Sequence, residues 1–283
     1  MSAVPFAPAC RLPHGPPMLW LDELLEADDV QGLAVGRIRE DNPLRLEDVG
    51  LDPLAAVELV GQAAAALPAR DSGLPAVASH GLLVGVREFT FQACVVLPGA
   101  AVSVRIRRGR FREELASWRG SVEIDGRPFG AGEIRVYTQR ETALRVVPFA
   151  GPLPPPAGRS IHPLSGRWGR AAAGQATWDL DGSFPAFHGH FPGAPVLPAV
   201  ATCALAMQPV RAALPGAVLR RIVSAKFTRP IVPGERLDVT CEPAPDASVT
   251  SYRAVVRVGG APAAVLSFEL SADGRSPEGR PCG

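Results

Sequence analysis

Apolar and polar positions recur in the same order twice along the chain. In the first half, an Ala-rich apolar stretch from about Pro53 to Leu67 predicts a helix, with Pro53 suited to its first turn. Strand-like runs follow at Gly81–Val86, Arg87–Val96, Ala101–Arg108, Glu114–Ile124 and Ala131–Thr138. In the second half, Val196–Leu214 predicts a helix, followed by strand-like runs at Ile222–Thr228, Arg236–Glu242, Ser251–Val258 and Ala263–Leu270. Pro-Gly turns, Leu97-Pro98-Gly99 and Val232-Pro233-Gly234, separate matching strands. Between the halves, the Pro-rich run 147–158 can hold neither a helix nor a central strand and suits a linker. One apolar helix followed by antiparallel strands, twice over, predicts an α+β fold: two antiparallel sheets, each wrapping a central helix, packed as a pseudo-dimer. The expected boundaries are 10–146 for the first domain, 147–158 for the linker, 159–271 for the second domain and 272–283 for a disordered polar tail.

Composition narrows the function. The chain has 283 residues, 47% of them apolar and 20% charged, with a formal net charge of +1, so no nucleic-acid footprint is expected. No uninterrupted apolar run reaches the length of a membrane span, and Met1 to Arg11 lacks the pattern of a secretory signal, so a cytoplasmic protein is expected. The cysteines Cys10, Cys94, Cys203, Cys241 and Cys282 are scattered and odd in number. They read as reduced thiols, with neither a zinc site nor a disulfide framework.

The segment richest in chemistry runs from Phe187 to Val200, FHGHFPGAPVLPAV, directly before the second helix. Pro198 ends a loop and pre-sets the helix start, leaving backbone N–H groups near Ala199 and Val200 free to bind an oxygen that gains negative charge. His190, on the loop, is placed to act as a base near neutral pH. Together they suit proton abstraction beside a thioester carbonyl.

The ordered run G-H-F-P-x-x-P-x-x-P, from Gly189 to Pro198, resembles the active-site signature of the FabZ/FabA family of 3-hydroxyacyl-carrier-protein dehydratases, which have the hotdog fold. The spelling VLPAV at Val196–Val200 is more similar to the dehydratase pair of aryl-polyene pathways. Ser224-Ala225-Lys226-Phe227-Thr228-Arg229-Pro230 followed by Pro233-Gly234 resembles a strand and turn of the same family. The resemblance implies an acidic residue fourteen positions after the histidine. That position is Ala204, while Gln208 matches a family glutamine. The first half resembles the family at Leu12 to Asp22 and at Val57 to Gln62, where Glu58 matches the acid and Gln62 the glutamine. Counting back fourteen from Glu58 reaches Leu44, with no histidine loop around it. The first half therefore keeps the acid and loses the histidine; the second does the reverse.

Because the family pairs a histidine from one hotdog with a carboxylate from the other, the resemblance implies one composite site in a fused double hotdog. Its base would be His190 and its acid Glu58, the latter with a pKa raised by apolar burial. Ala199, Val200, Gly193 and Phe191 would form the oxyanion and substrate-binding part, with Gln62 and His188 supporting. No metal or cofactor is implied. The implied substrate is a 3-hydroxyacyl chain on the phosphopantetheine arm of an acyl carrier protein, and further homo-oligomerisation stays open. A thioester hydrolase and a non-catalytic acyl-binding subunit are the competing readings. His14 is expected to pack or cap, with a part in catalysis kept open by the resemblance of Leu12-Pro13-His14 to the family's L-P-H segment. The arginine run Arg105, Arg107, Arg108, Arg110 and Arg112, with Lys226 and Arg229, reads as solvated surface, with carrier docking as the alternative.

Overall fold

The computed structural model describes residues 12–28, 30–46, 50–67, 81–92, 95–112, 114–138, 151–162, 167–244 and 251–271. The start of the expected linker, 147–150, and the expected tail, 272–283, lie outside them.

The first half opens with β1 (Glu23–Ala27) and β2 (Gln31–Arg37), then a short antiparallel pair, β3 (Arg45–Leu46) and β4 (Gly50–Leu51). The helix α1 (Ala55–Ala66) leads to four long strands: β5 (Gly81–Phe91), β6 (Ala101–Arg112), β7 (Leu115–Ile124) and β8 (Arg127–Thr138). The second half has β9 (Gly169–Ala172), β10 (Gln175–Leu180), one turn of 3-10 helix (Pro185–Phe187) and α2 (Ala199–Ala213). It then runs through β11 (Val218–Phe227), β12 (Glu235–Pro243), β13 (Ser251–Val258) and β14 (Ala261–Ser271).

The two halves have one topology. Six strands in the order β1-β2-β6-β7-β8-β5 are continued by six in the order β11-β14-β13-β12-β10-β9, all antiparallel. The two expected sheets meet where β5 and β11 pair edge to edge, with Arg221 opposite Thr90 and Lys226 opposite Gly85, so the halves share a single twelve-stranded sheet. That pairing satisfies two strand edges that would otherwise be left open.

Both helices are core elements. Ten of the twelve α1 residues are buried, which a surface helix with one apolar stripe would not show. The polyalanine run lets α1 lie close to the sheet: a Cβ on Gly120 of β7 would sit 2.5 Å from the Val60 methyls. Apolar residues from both halves form one continuous core. The helix expectations are shortened by their prolines. α2 starts at Ala199 because Pro198 holds an extended ψ of 141°, which leaves Val196 and Leu197 in the loop, and α1 starts at Ala55 rather than Pro53.

The expected run 81–86 and the first five residues of the expected run 87–96 form one strand, β5, which ends at Phe91. It carries register shifts and a positive φ of 48° at Glu88, so the irregularity is a bulge rather than a strand boundary. Strands β1, β2, β9 and β10 were not anticipated. Short and near the outer edges, they carry weak patterns beside long ones such as β7.

Candidate active site

Three side chains from two halves converge at one end of the helix pair. Glu58 sits in the first turn of α1, His190 on the loop before α2, and His14 on the segment leading into β1. Each offers a ring nitrogen or carboxylate oxygen, and these atoms lie within 4.8 Å of one another. The composite juxtaposition of His190 with Glu58 is thus present. His14 is a third member that sequence reasoning assigned to packing. Its only sequence signal was its place in the Leu12-Pro13-His14 run.

His190 is fixed from both sides. Its Nδ1 lies 2.6 Å from the Val196 carbonyl, which can only accept, so Nδ1 carries the proton and Nε2 keeps a free lone pair. The ring stacks on Phe191 at 4.2 Å between centroids. Burial pushes the His190 pKa down to about 4, more than the Glu58 charge can offset, so the ring is neutral near pH 7. Phe191 itself sits at φ 63°, a conformation costly for a non-glycine residue.

The histidine loop is clamped to the first half. His14 and His190 form an antiparallel bridge, and the Gly15 amide donates to the Gly189 carbonyl at 2.8 Å. Gly189 has φ 78°, and a Cβ there would lie 2.2 Å from the Gly15 carbonyl oxygen, so this approach requires glycine.

Glu58 is held by partners on two elements. Gln62, one turn along α1, donates to Glu58 Oε1 at 3.0 Å and to the Met18 carbonyl at 2.7 Å, and accepts from the Trp20 amide at 3.1 Å. His14 Nε2 lies 3.3 Å from Glu58 Oε1. Burial alone would raise the Glu58 pKa, as the sequence suggested. The hydrogen bond and charge of His14, with the His190 charge and the Gln62 bond, outweigh it and hold the carboxyl below 4.5. The expectation of a protonated acid at this position is corrected accordingly: near pH 7 Glu58 is a carboxylate.

The remaining expected residues fall in and around this cluster. Ala199 and Val200 are the first residues of α2, whose opening amides have no acceptor within the helix. Leu197, just before them, is tied by its amide to the Ile231 carbonyl at 2.8 Å. Gly193 is exposed at φ 87° on the loop. His188 stands apart from the triad, its Nε2 3.2 Å from the Gly182 carbonyl, and supports the loop from outside. The triad is also the group of the described residues that could hold a metal ion.

A second, symmetry-related position exists and is differently furnished. A constant spacing relates Leu44 to His190, Ala204 to Glu58, and Ser160 to His14. The backbone repeats too: the Ile161 amide donates to the Pro43 carbonyl at 2.9 Å, as Gly15 does to Gly189. None of the three reactive side chains recurs. Ser160 instead donates to the Arg45 carbonyl at 2.5 Å, and Leu44 and Ala204 are buried. Where the first position has Pro198, Pro16 and Ala65, this one has Asp52, His162 and Arg211. The Asp52 carboxylate is fully buried, takes the Leu54 amide at 2.9 Å, and lies 3.0 Å from Arg211 and 3.4 Å from His162.

Two family models match the chain: ApeP dehydratase over residues 6–146 and ApeI dehydratase over residues 170–261. Among solved structures, an oleoyl thioesterase (putative) from Lactobacillus plantarum aligns with TM-score 0.58 at 10% identity, covering 85% of this chain and 95% of its own. A bifunctional dehydratase-cyclase domain in ambruticin biosynthesis aligns with TM-score 0.50 at 17% identity, covering 90% and 95%. The dehydratase heterocomplex ApeI:P from Xenorhabdus doucetiae aligns with TM-score 0.43 at 21% identity, covering 49% and 95%. No protein with a curated description matches the chain. Among the described residues no helix is long and apolar enough to cross a membrane. The fold and the family matches define a double-hotdog enzyme of the dehydratase kind. Specifically, the chain carries an ApeP-like dehydratase domain followed by an ApeI-like dehydratase domain.

Proposed function

We propose that the chain dehydrates 3-hydroxyacyl thioesters, carried on the phosphopantetheine arm of an acyl carrier protein, to trans-2-enoyl thioesters at the composite site of His190 and Glu58. The observation that carries this reading is that a neutral, oriented imidazole from one half and a carboxylate from the other meet within 4.8 Å at the start of α2.

His190 Nε2 takes the C2 proton. The electrons of that C–H bond pass through an enolate whose oxygen is held by the free amides of α2 near Ala199 and Val200, where each donor is worth about 3 kcal/mol. The enolate collapses to the C2–C3 double bond as the C3–O bond breaks. The departing hydroxyl takes the proton from the His190 imidazolium and leaves as water, which returns His190 to neutral. Glu58, ionised at rest, does not supply that proton. It accepts a hydrogen bond from the C3 hydroxyl and, as the nearest negative charge, stabilises the imidazolium while it exists. No metal or cofactor takes part in these steps.

The test is conversion of a 3-hydroxyacyl thioester followed by mass spectrometry of the enoyl product. His190→Ala should abolish turnover, and Glu58→Gln should reduce it by about 100-fold or more, with folding unchanged. Release of free thiol instead of enoyl product would favour the hydrolase reading, and unchanged turnover in His190→Ala would remove the histidine from the chemistry.

A further inference from the structure

We propose that His14 is a positioning residue of this site, acting through Glu58 to hold the carboxylate in place beside the ring of His190. The inference rests on the dehydratase reading and extends it to a third residue.

His14 reaches Glu58 from a different element than Gln62 does. Its Nε2 lies 3.3 Å from Oε1, the same oxygen that Gln62 binds at 3.0 Å, so one carboxylate oxygen is engaged from two elements. The contact is shielded: the His14 and Glu58 side chains are 7% and 9% exposed, which lets a hydrogen bond and a charge act at close to full strength. The His14 ring also packs edge-on to Phe191 at 5.4 Å and lies 5.3 Å from the ring of His190. Its backbone is bridged to His190. One residue of the first half therefore touches both the base and the carboxylate.

The chain segment that carries His14 is built to hold still. Leu12, Met18 and Trp20 are buried in the core around it, and the Met18 carbonyl and Trp20 amide are both satisfied by Gln62. The same glutamine thus locks Glu58 and the segment that delivers His14, so the two cannot drift apart independently. At the symmetry-related position the place of His14 is taken by Ser160, where the place of Glu58 is taken by Ala204; the histidine is present only where there is a carboxylate for it to hold.

Among the described residues, the ionisable groups facing Glu58 are His14, from the entering segment, and His190, from the loop before α2; Gln62 faces it from α1 itself. Removing His14 leaves Glu58 with one charged neighbour fewer and one hydrogen bond fewer, and removes a positive neighbour from His190. Both changes raise the pKa of the group concerned, so the acid side of the activity profile moves toward neutral pH.

The experiment compares His14→Ala and His14→Gln with the wild type on a 3-hydroxyacyl thioester across pH. It also follows the Glu58 carboxyl by carbon NMR of the folded proteins. In His14→Ala, kcat should fall by up to about 100-fold with little change in KM. The acid limb and the Glu58 titration should both move up by about one pH unit. In His14→Gln, whose amide can donate to Oε1, most of kcat should return. Wild-type kcat and pH profile in His14→Ala would overturn the proposal. A loss of turnover without movement of the Glu58 titration would overturn it too, because it would reduce His14 to packing. If the wild type itself does not dehydrate the thioester, the dehydratase reading fails, and the carboxyl titration still decides whether His14 controls Glu58.

Discussion

The guanidinium of Arg211, in the last turn of α2, lies 3.0 Å from the buried carboxylate of Asp52, which precedes α1. The pair joins the two helices at the position where symmetry would have put a second reactive cluster. Burial would raise the Asp52 pKa, but Arg211, His162 and the Leu54 amide hold it well below its ordinary 3.8. A lowered carboxyl pKa adds stability above the unfolded value, and that stability is lost as pH falls below 3.8 toward the folded value. Arg211→Met leaves the carboxylate buried and uncompensated and should cost about 3–5 kcal/mol in urea unfolding. Adding Asp52→Asn to it should recover a large part of that loss. A single variant as stable as the wild type would show that the pair does not bind the helices together.

The same cluster predicts one substrate per chain. The Asp52 carboxylate takes the Leu54 amide, and the Asp52, Pro53 and Leu54 carbonyls take the amides of Ala55, Ala56 and Val57, so an acyl oxygen has no free donors there. Restoring the missing side chains by Leu44→His with Ala204→Glu should therefore leave turnover at the wild-type level and the binding stoichiometry of a non-hydrolysable 3-hydroxyacyl analogue at one. Calorimetry showing two equivalent sites in the wild type would refute this.

How much of this was readable from residues alone divides by type of signal. The duplication, both helices and the long strands showed in patterning, because a buried helix needs a long apolar run and a long strand with one buried face, such as β7, needs a long alternation. The meeting of His190 and Glu58 was legible because each half lacked what the other kept. The joining of the sheets through β5 and β11 was not, since edge pairing leaves no mark on the alternation of side chains. The Glu58 pKa was misjudged for a related reason. Burial can be read from Ala and Val neighbours along α1, but His14 lies 44 positions away and meets Glu58 only through tertiary packing. The Asp52–Arg211–His162 cluster likewise draws on three distant segments, and no short motif announces it.

Keeping His190 neutral inside the fold carries a stability cost that depends on pH. Its pKa falls from 6.5 to about 4 on folding, so below pH 6.5 the unfolded chain binds a proton that the folded chain refuses. Stability is unaffected by this group above pH 6.5, declines as pH drops toward 4, and changes no further below that. The loss amounts to about 3 kcal/mol. His190→Gln removes it, so the variant should gain on the wild type by about that amount between pH 7 and pH 4 in urea unfolding. Parallel curves for the two proteins over that interval would mean that the ring is not held neutral.

The oxyanion role of the α2 amides can be tested without touching a side chain. Ala199 is the first residue of the helix, where proline is tolerated because the N–H it removes has no acceptor within the helix. Proline demands an extended residue before it, and Pro198 already holds ψ at 141°, so Ala199→Pro should fold with little change in stability. It deletes one of the donors that the proposed mechanism assigns to the thioester oxygen. The expected result is a fall in kcat of about 100- to 1,000-fold with KM nearly unchanged, because the enolate gains more from that donor than the ground-state carbonyl does. Val200→Pro, one residue further on, should show a comparable loss if both amides serve. Wild-type kcat in both variants, with the fold intact by circular dichroism, would place the oxygen elsewhere and leave the start of α2 a structural feature alone.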